Sequence, residues 1–383
     1  MSPRGSLAAL RFARGWMAPS GPGAPAGLAE AVVSSALPGV AGEVRALRVA
    51  PRGAEPHPGW VVLHGVTVLG LEHPSLLRFA RALAASGSHV LVPEIPAWTR
   101  LELAPAEAQR LVCAAVKALA ADPRTTPGGV GVAGFSFGGP QALAAAADAD
   151  VAPHLRKVLA WGSYARFRSA LAFSFSGELA PEASWAPGAS EAEGKPTRPD
   201  PYARWVAGAN LLPLVSGYGS LDATAAALRE LSRLWGESAI DAYSPDSDPV
   251  RNELRAGLSA RERGIFDIFA PPAGRLPDPA AAAEICDALD RAAALHHPLL
   301  DPVPALERIH VPVHLLHGRE DVLIPWTETP RLEALIRPRA PAVHATITGL
   351  FSHSAGDTGL SRGAQLVEGG RLFQAVRKVL AFR

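Results

Sequence analysis

The strongest constraint on the fold is a regular alternation of short apolar runs and amphipathic stretches that begins at residue 59. The apolar runs, such as 60–63 and 130–133, are uninterrupted, which is typical of strands covered on both faces. The amphipathic stretch at 74–86 places its apolar residues on one helical face. Strands and helices that alternate with short joints predict a parallel sheet with helices on both of its faces.

The same alternation divides the chain. It predicts strands at 60–63, 90–92, 130–133, 157–161, 311–316 and 343–347, and helices at 74–86, 105–121 and 138–147. After residue 161 the strand signal stops, and mostly helical patterns fill the chain until strands return at 311–316. We therefore expect an α/β core formed by residues 43–165 and 303–383, a helical insertion at 166–302 and an N-terminal extension at 1–42.

The composition is that of a globular protein with ample apolar material for a core. Hydrophobic residues make up 48% of the 383 residues and charged residues 19%, which excludes a disordered or fibrous chain. Lys and Arg total 37 against 36 Asp and Glu, so the charge balance gives no argument for nucleic acid as a partner. No run of about 18 apolar residues occurs, and we expect no membrane span and a cytoplasmic location.

Other sequence features narrow the chemistry further. Cys113 and Cys286 are too few for a disulfide framework, and we expect two free, buried thiols. The histidines show no convincing metal-ligand spacing, so we expect no metal site. The N-terminal extension carries no motif that indicates a function, and nothing in the sequence indicates an oligomeric state.

The segment Gly134-Phe135-Ser136-Phe137-Gly138 matches the Gly-x-Ser-x-Gly pattern of a nucleophile turn. In such a turn the chain passes sharply from a strand into a helix and holds the serine hydroxyl exposed above the sheet. Glycines two residues to either side remove the Cβ atoms that would clash there. Because a predicted strand precedes this segment and a predicted helix follows it, we expect Ser136 to be a catalytic nucleophile.

A serine hydroxyl is a weak nucleophile, so it needs a base and an acid that orients the base. His353 is the best candidate base, because it lies in the loop that follows the predicted strand at 343–347. Asp321 is the best candidate acid, because it lies in the turn after the predicted strand at 311–316. Functional groups collect at the carboxyl ends of parallel strands. Glu320 is the competing acid.

Acyl transfer also requires backbone amides that stabilise the developing oxyanion. The amide of Phe137, directly after the serine, is one candidate. The second is expected from the loop after the first core strand, which reads His64-Gly65-Val66-Thr67. We assign the amide of Val66, with Thr67 as the alternative if the loop turns one residue later.

These motifs, in the order Ser136, Asp321 and His353, resemble those of the α/β-hydrolase superfamily. The resemblance covers residues 43–165 and 303–383. It implies a mostly parallel sheet of about eight strands, with an early edge strand at 43–50. It also implies an acyl-enzyme on the serine, water as the acceptor and no cofactor.

The resemblance also suggests the form of the substrate site. Insertions at the position of 166–302 commonly form a cap over the active site in this superfamily. Phe135 and Phe351 are expected to bind an apolar acyl group. Further aromatic candidates come from the insertion: Phe173, Phe175, Trp205 and Tyr218. The phenylalanines around the nucleophile resemble the dienelactone-hydrolase elbow, but this chain has serine where that branch has cysteine, and a long insertion.

The sequence therefore predicts a serine hydrolase for an ester or thioester of a small apolar substrate. A peptidase or amidase, and an acyltransferase, are alternatives that would use the same three residues. A ligand receptor that keeps the fold without the chemistry is a further alternative from another class. An intact set of nucleophile, base and acid favours the enzyme.

Overall fold

A computed structural model describes residues 3–18, 25–179, 198–237, 243–352 and 360–381. Its strands are β1 (Leu28–Ala36), β2 (Glu43–Pro51), β3 (His57–Leu63), β4 (His89–Pro93), β5 (Thr125–Phe135), β6 (Leu155–Trp161), β7 (Val313–Gly318) and β8 (Val343–Thr348). They form an eight-stranded sheet in the order β1-β2-β4-β3-β5-β6-β7-β8. β2 runs antiparallel to β1 and β4, and every later neighbouring pair is parallel. The mostly parallel sheet expected from the sequence is confirmed.

Helices connect the strands of the core. They are α1 (Pro3–Met17), α2 (Pro74–Ala85), α3 (Pro96–Thr99), α4 (Pro105–Ala121), α5 (Gly138–Ala146), α12 (Val303–Leu306), α13 (Glu328–Ile336) and α14 (Arg362–Leu380). Between β6 and α12 the described residues form only helices and loops. These helices are α6 (Phe167–Ser176), α7 (Tyr202–Leu211), α8 (Asp222–Glu237), α9 (Asp248–Ala256), α10 (Ala260–Phe269) and α11 (Pro279–His296). No helix among the described residues is both long enough and apolar enough to cross a membrane.

The expectation of an edge strand at 43–50 is wrong in one respect. The strand exists as β2, but β1 pairs along its outer side and forms the edge of the sheet. β1 has the sequence LAEAVVSSA, and most of its residues are partly or fully exposed. Small and polar residues with one solvated face give a weaker strand signal than the apolar runs of the sheet centre.

The core has two apolar layers, one on each face of the sheet. Successive residues of β3 alternate between them, as strand geometry requires: Trp60 and Val62 pack in one layer, and Val61 and Leu63 pack in the other. The layer on the side of Val61 continues into the helical insertion, where it includes Leu228 and other buried residues.

The layer on the side of Trp60 includes α1, which packs against α2 and α14. The N-terminal extension therefore contributes both an edge strand and a packed helix. Both cysteines are free: Cys286 is buried and Cys113 is half-buried. Burial raises the pKa of each thiol to about 11, so neither is a reactive thiolate at neutral pH.

Candidate active site

Ser136 lies in a sharp turn between the end of β5 and the start of α5. Its φ of 52° is in the left-handed region, which non-glycine residues rarely adopt. The Ser136 amide donates a hydrogen bond to the carbonyl of Trp161 in the neighbouring strand, at 2.8 Å. A Cβ atom at Gly138 would lie 2.7 Å from the carbonyl oxygen of His64, so glycine is required at that position for this packing. The turn is the strand-to-helix elbow that the sequence predicts.

The loop after β3 lies directly against the serine. A Cβ atom built on Gly65 would be 3.3 Å from Ser136 Cβ and 3.7 Å from its hydroxyl oxygen. The next residue, Val66, and Phe137 at the start of α5 both line the same cavity as Ser136. Within the described ranges, neither the Val66 amide nor the Phe137 amide has a hydrogen-bond acceptor. The structure thus brings Ser136 together with both amides that the sequence analysis selected.

His64 holds this loop in a defined orientation. Its Nε2 accepts a hydrogen bond from the Ile95 amide at 3.1 Å, so its proton resides on Nδ1, which lies 2.6 Å from the Gly65 carbonyl oxygen. Burial lowers the pKa of His64 to about 4, which keeps the ring neutral at physiological pH. The Gly65–Val66 peptide is planar and trans, so a fixed carbonyl also fixes the direction of the Val66 N–H on the opposite side.

A second side chain orients the next peptide group, which joins Val66 to Thr67. The hydroxyl of Tyr202, in α7 of the insertion, donates to the carbonyl oxygen of Val66 at 3.1 Å. Burial raises the pKa of this hydroxyl, so it remains a donor throughout the physiological range. Both peptide groups that flank Val66 are therefore oriented by side chains, one from the core and one from the insertion.

Asp321 follows β7 and is buried, with 3% of its surface exposed. Its Oδ1 accepts hydrogen bonds from the amides of Leu323 and Ile324, both at 2.9 Å, and its Oδ2 lies 3.3 Å from Nε2 of His317. The His317 ring is itself fully buried and also contacts the carbonyl of Ile324. Glu320, by contrast, is exposed. The two candidate acids thus differ sharply: Asp321 is fixed in the interior, and Glu320 faces solvent.

His353 lies outside the described residues. The chain is described up to Ser352, which lines the same cavity as Ser136. A Cβ atom at Gly318, the last residue of β7, would lie 2.9 Å from the carbonyl oxygen of Ser352. The chain segment that leads into His353 therefore runs beside the end of β7, three residues before Asp321.

A cavity of about 360 Å³ opens above Ser136, and its walls are mainly apolar. Phe135 and Phe351 both line it. Most of its other lining residues belong to the helical insertion or to the segments around α2. They include Leu76, Phe167, Leu171, Val206 and Trp235.

The aromatic residues expected from the insertion do not line this cavity. Phe173, Phe175 and Trp205 are buried, and the Trp205 indole donates to the carbonyl of Phe269 at 2.9 Å. The Tyr218 hydroxyl instead donates to Glu284, at 2.6 Å. Phe175 and Trp205 belong to the apolar layer that extends from the core into the insertion, and the sequence pattern does not distinguish that interior from the cavity wall.

The sequence analysis also missed Trp16 of α1, which lines the cavity. The signal was present, because Ala9, Phe12 and Trp16 follow one another at intervals of three and four residues on one helical face. The local sequence of α1 does not indicate which part of the molecule this face packs against.

The strand order and the serine elbow after β5 give the chain the α/β-hydrolase fold. Ser136, the loop after β3 and Asp321 each follow the strand that the sequence analysis assigned to them. No protein-family model matches the chain, and no curated protein matches it.

Several solved structures are similar to the chain at low sequence identity. One is the acylaminoacyl peptidase of Pyrococcus horikoshii, at 12% identity and a TM-score of 0.49, with 93% of this chain and 42% of that chain covered. The esterase Est22 has 14% identity and a TM-score of 0.48, with 93% and 81% covered. An esterase of Pyrobaculum calidifontis has 16% identity and a TM-score of 0.42, with 98% and 91% covered. The chain spans about two fifths of the length of the acylaminoacyl peptidases that it matches.

Proposed function

We propose that this protein is a serine hydrolase that cleaves a carboxylic ester or thioester of a small apolar substrate through an acyl-enzyme on Ser136. The observation that carries the proposal is the position of Ser136. It has a left-handed backbone conformation, lies on an apolar cavity and contacts a loop in which the Val66 amide has no acceptor among the described residues. A serine in an ordinary glycine-rich turn needs none of these features.

In the proposed reaction, the Oγ atom of Ser136 attacks the substrate carbonyl carbon while His353 accepts the hydroxyl proton. The carbonyl π electrons move to the oxygen and give a tetrahedral intermediate. When the intermediate collapses, the bond to the leaving oxygen or sulfur breaks, and His353 returns the proton to that atom. Water then repeats the sequence on the acyl-serine and releases the acid. Asp321 orients the His353 ring and stabilises its charged form.

The oxyanion would be bound by the amides of Phe137 and Val66. Phe137 lies at the N-terminal end of α5, where backbone amides lack helical partners and the helix dipole favours negative charge. The orientation of Val66 by His64 and Tyr202 supports it as the second donor, and Thr67 remains the alternative. Donors that are already oriented cost little reorganisation during the reaction.

We also propose that the helical insertion at 166–302 acts as a cap. Phe167, Leu171 and Tyr202 from the insertion line the cavity that contains Ser136, so this segment forms part of the substrate's surroundings. The apolar lining favours a small apolar substrate. A cytoplasmic location of the protein remains our expectation.

Labelling with a fluorophosphonate, which phosphonylates activated serines, tests the nucleophile. We expect the parent protein to be labelled and Ser136→Ala to lose labelling completely. Ser169→Ala, which removes a hydroxyl on α6 that donates to the carbonyl of Arg166, is the matched control and should label like the parent. Labelling that survives Ser136→Ala would refute the assignment, and an unlabelled parent would favour a non-catalytic receptor.

The reaction class requires a separate comparison on the same protein. An ester, a thioester and an anilide that share one acyl group should be offered at equal concentration. We expect turnover of the ester and thioester and much slower turnover of the anilide. Preferential cleavage of the anilide would instead identify an amidase or peptidase.

A further inference from the structure

One side of the cavity above Ser136 is closed by four aromatic rings, which we call the aromatic wall: Trp16, Phe135, Trp161 and Phe351. Trp161 is central to it. Its ring centre lies 5.2 Å from Phe135, 4.8 Å from Phe351 and 6.1 Å from Trp16. Phe135 precedes the nucleophile directly in the chain. The aromatic wall is therefore next to the atoms that react.

The position of Trp16 in this wall is determined by the packing of α1. At Gly15 the helix approaches α2 so closely that a Cβ atom would lie 3.1 Å from the Cα of Ala82. Phe12, one turn earlier, stacks on Trp16 with ring centres 6.1 Å apart and meets Phe79 edge-on at 5.7 Å. These contacts hold the end of α1 against the core and direct Trp16 towards the cavity.

Trp16 differs from the aromatic residues that support it. Phe12 and Phe79 are buried, as expected for residues that only pack. Trp16 is half-buried, and part of its surface lines the cavity that holds Ser136. The guanidinium of Arg78 lies 5.9 Å from its ring centre, so a cation–π contact further restrains the indole.

We infer that Trp16 is a specificity-determining residue and that the aromatic wall binds an aryl group carried on the acyl chain of the substrate. The wall presents ring faces and edges, and aromatic pairs gain attraction beyond the apolar area that they bury. A tryptophan offers the largest such surface with few rotatable bonds. The inference rests on the proposed function, because it assumes that the bound molecule is a substrate for hydrolysis. Binding to the aromatic wall is nevertheless measurable without hydrolysis.

The test separates aromatic recognition from simple apolar burial. Methyl 3-phenylpropanoate and its saturated analogue, methyl 3-cyclohexylpropanoate, have similar size and differ in aromaticity. Their dissociation constants would be measured by calorimetry on Ser136→Ala, which holds the ligand without turnover. Each would then be measured again with Trp16→Leu, Trp16→Phe or Leu10→Ala added. Leu10→Ala is the matched control, because Leu10 is on α1 and is 58% exposed.

We expect Trp16→Leu to weaken binding of the phenyl ester about threefold to tenfold and that of the cyclohexyl ester less than about twofold. Trp16→Phe should retain most of the preference, because it keeps a ring, and Leu10→Ala should change neither affinity. Thermal unfolding of each variant checks that α1 stays packed. Equal weakening of both ligands by Trp16→Leu, or no weakening, would overturn the inference.

Kinetics on proteins with Ser136 intact then distinguish the two proposals. If the parent hydrolyses esters but Trp16→Leu leaves the ratio of kcat/KM for the two esters unchanged, the role of Trp16 is refuted and the hydrolase remains. If the Trp16-dependent phenyl preference appears in binding but the parent hydrolyses no ester, the binding subsite remains and the proposed function is refuted.

Discussion

At the scale of single residues, the candidate site depends on how backbone amides are oriented. Val66 lies between two peptide groups, and each is restrained by a side-chain hydrogen bond, from His64 on one side and Tyr202 on the other. The His64 ring can do this only while it is neutral, since Nε2 must accept the Ile95 amide. The loop after β3 is thus held by two side chains that hydrogen-bond to its backbone carbonyls.

Tyr202→Phe removes one hydroxyl from this arrangement. We expect kcat to fall about threefold to tenfold with little change in KM, because a net hydrogen bond that orients the loop is lost and apolar contacts remain. Steady-state kinetics on an ester substrate would measure both constants. Tyr243→Phe is the matched control, because its hydroxyl donates within the insertion, to Pro199, and should leave kcat unchanged. A rise in KM alone would show that Tyr202 contributes only to substrate binding.

Asp321 and Glu320 are neighbours in sequence with opposite environments. Asp321→Asn should lower kcat by about 10²-fold to 10⁴-fold, because an amide cannot hold the base in the correct tautomer as a carboxylate does. Glu320→Gln, at an exposed position, should retain nearly full activity. Parallel measurements of kcat for the two variants decide the matter, and equal losses would refute the assignment of the acid.

At the scale of elements, α14 is fixed to the sheet at its C-terminal end by a buried lysine. Lys157 of β6 donates to the carbonyl oxygens of Val379 at 2.9 Å and Ala381 at 2.6 Å. The last carbonyls of a helix lack helical partners, so this side chain satisfies groups that would otherwise be buried and unpaired. Because α1 packs on α14, the same lysine indirectly supports the helix that carries Trp16.

The lysine also gives the protein a pH-dependent stability. Burial lowers the pKa of Lys157 from 10.5 to about 8, so between these values the unfolded chain binds more protons than the folded one. This group therefore makes the free energy of unfolding rise as pH increases from 8 to 10.5. Urea unfolding at pH 7.5, 9 and 10.5 should show this contribution in the parent and not in Lys157→Met.

Lys117→Met, at a more exposed lysine on α4, provides the control and should keep the parent's pH dependence. Since other groups also titrate in this range, the informative quantity is the difference between each variant and the parent. Parallel curves for the parent and Lys157→Met would contradict the burial effect.

At the scale of the whole molecule, the regular part of the fold could be predicted from the sequence. The strands at the sheet centre, for example β3 and β5, contain continuous apolar runs at 60–63 and 130–133, because both faces are covered there, and these runs reveal them. Ser136 could be found because its backbone conformation requires glycines at fixed offsets. Asp321 could be chosen from its place after a strand, and the structure adds that it is buried.

The rest of the fold and of the candidate site could not be predicted from the sequence, because it depends on contacts between distant segments. β1 forms a solvated edge, and its small and polar residues resemble a loop in sequence. The aromatic residues of the insertion, such as Trp205, are spaced like those of any helix, and only the tertiary fold decides which of them face the cavity. Trp16 lies 120 residues before Ser136 in the chain, so no local pattern connects the two.

The separation of Trp16 from the elbow has a consequence for how this protein can evolve. Around Ser136 the chain is locked, since a Cβ atom at Gly138 would collide with the carbonyl of His64. Few amino-acid replacements are compatible with that geometry. Trp16 lies on a separate surface helix that takes no part in forming the elbow. Replacements there leave the elbow in place, so under the proposed function descendants of this sequence can acquire new substrates through the first helix while they inherit the same chemistry.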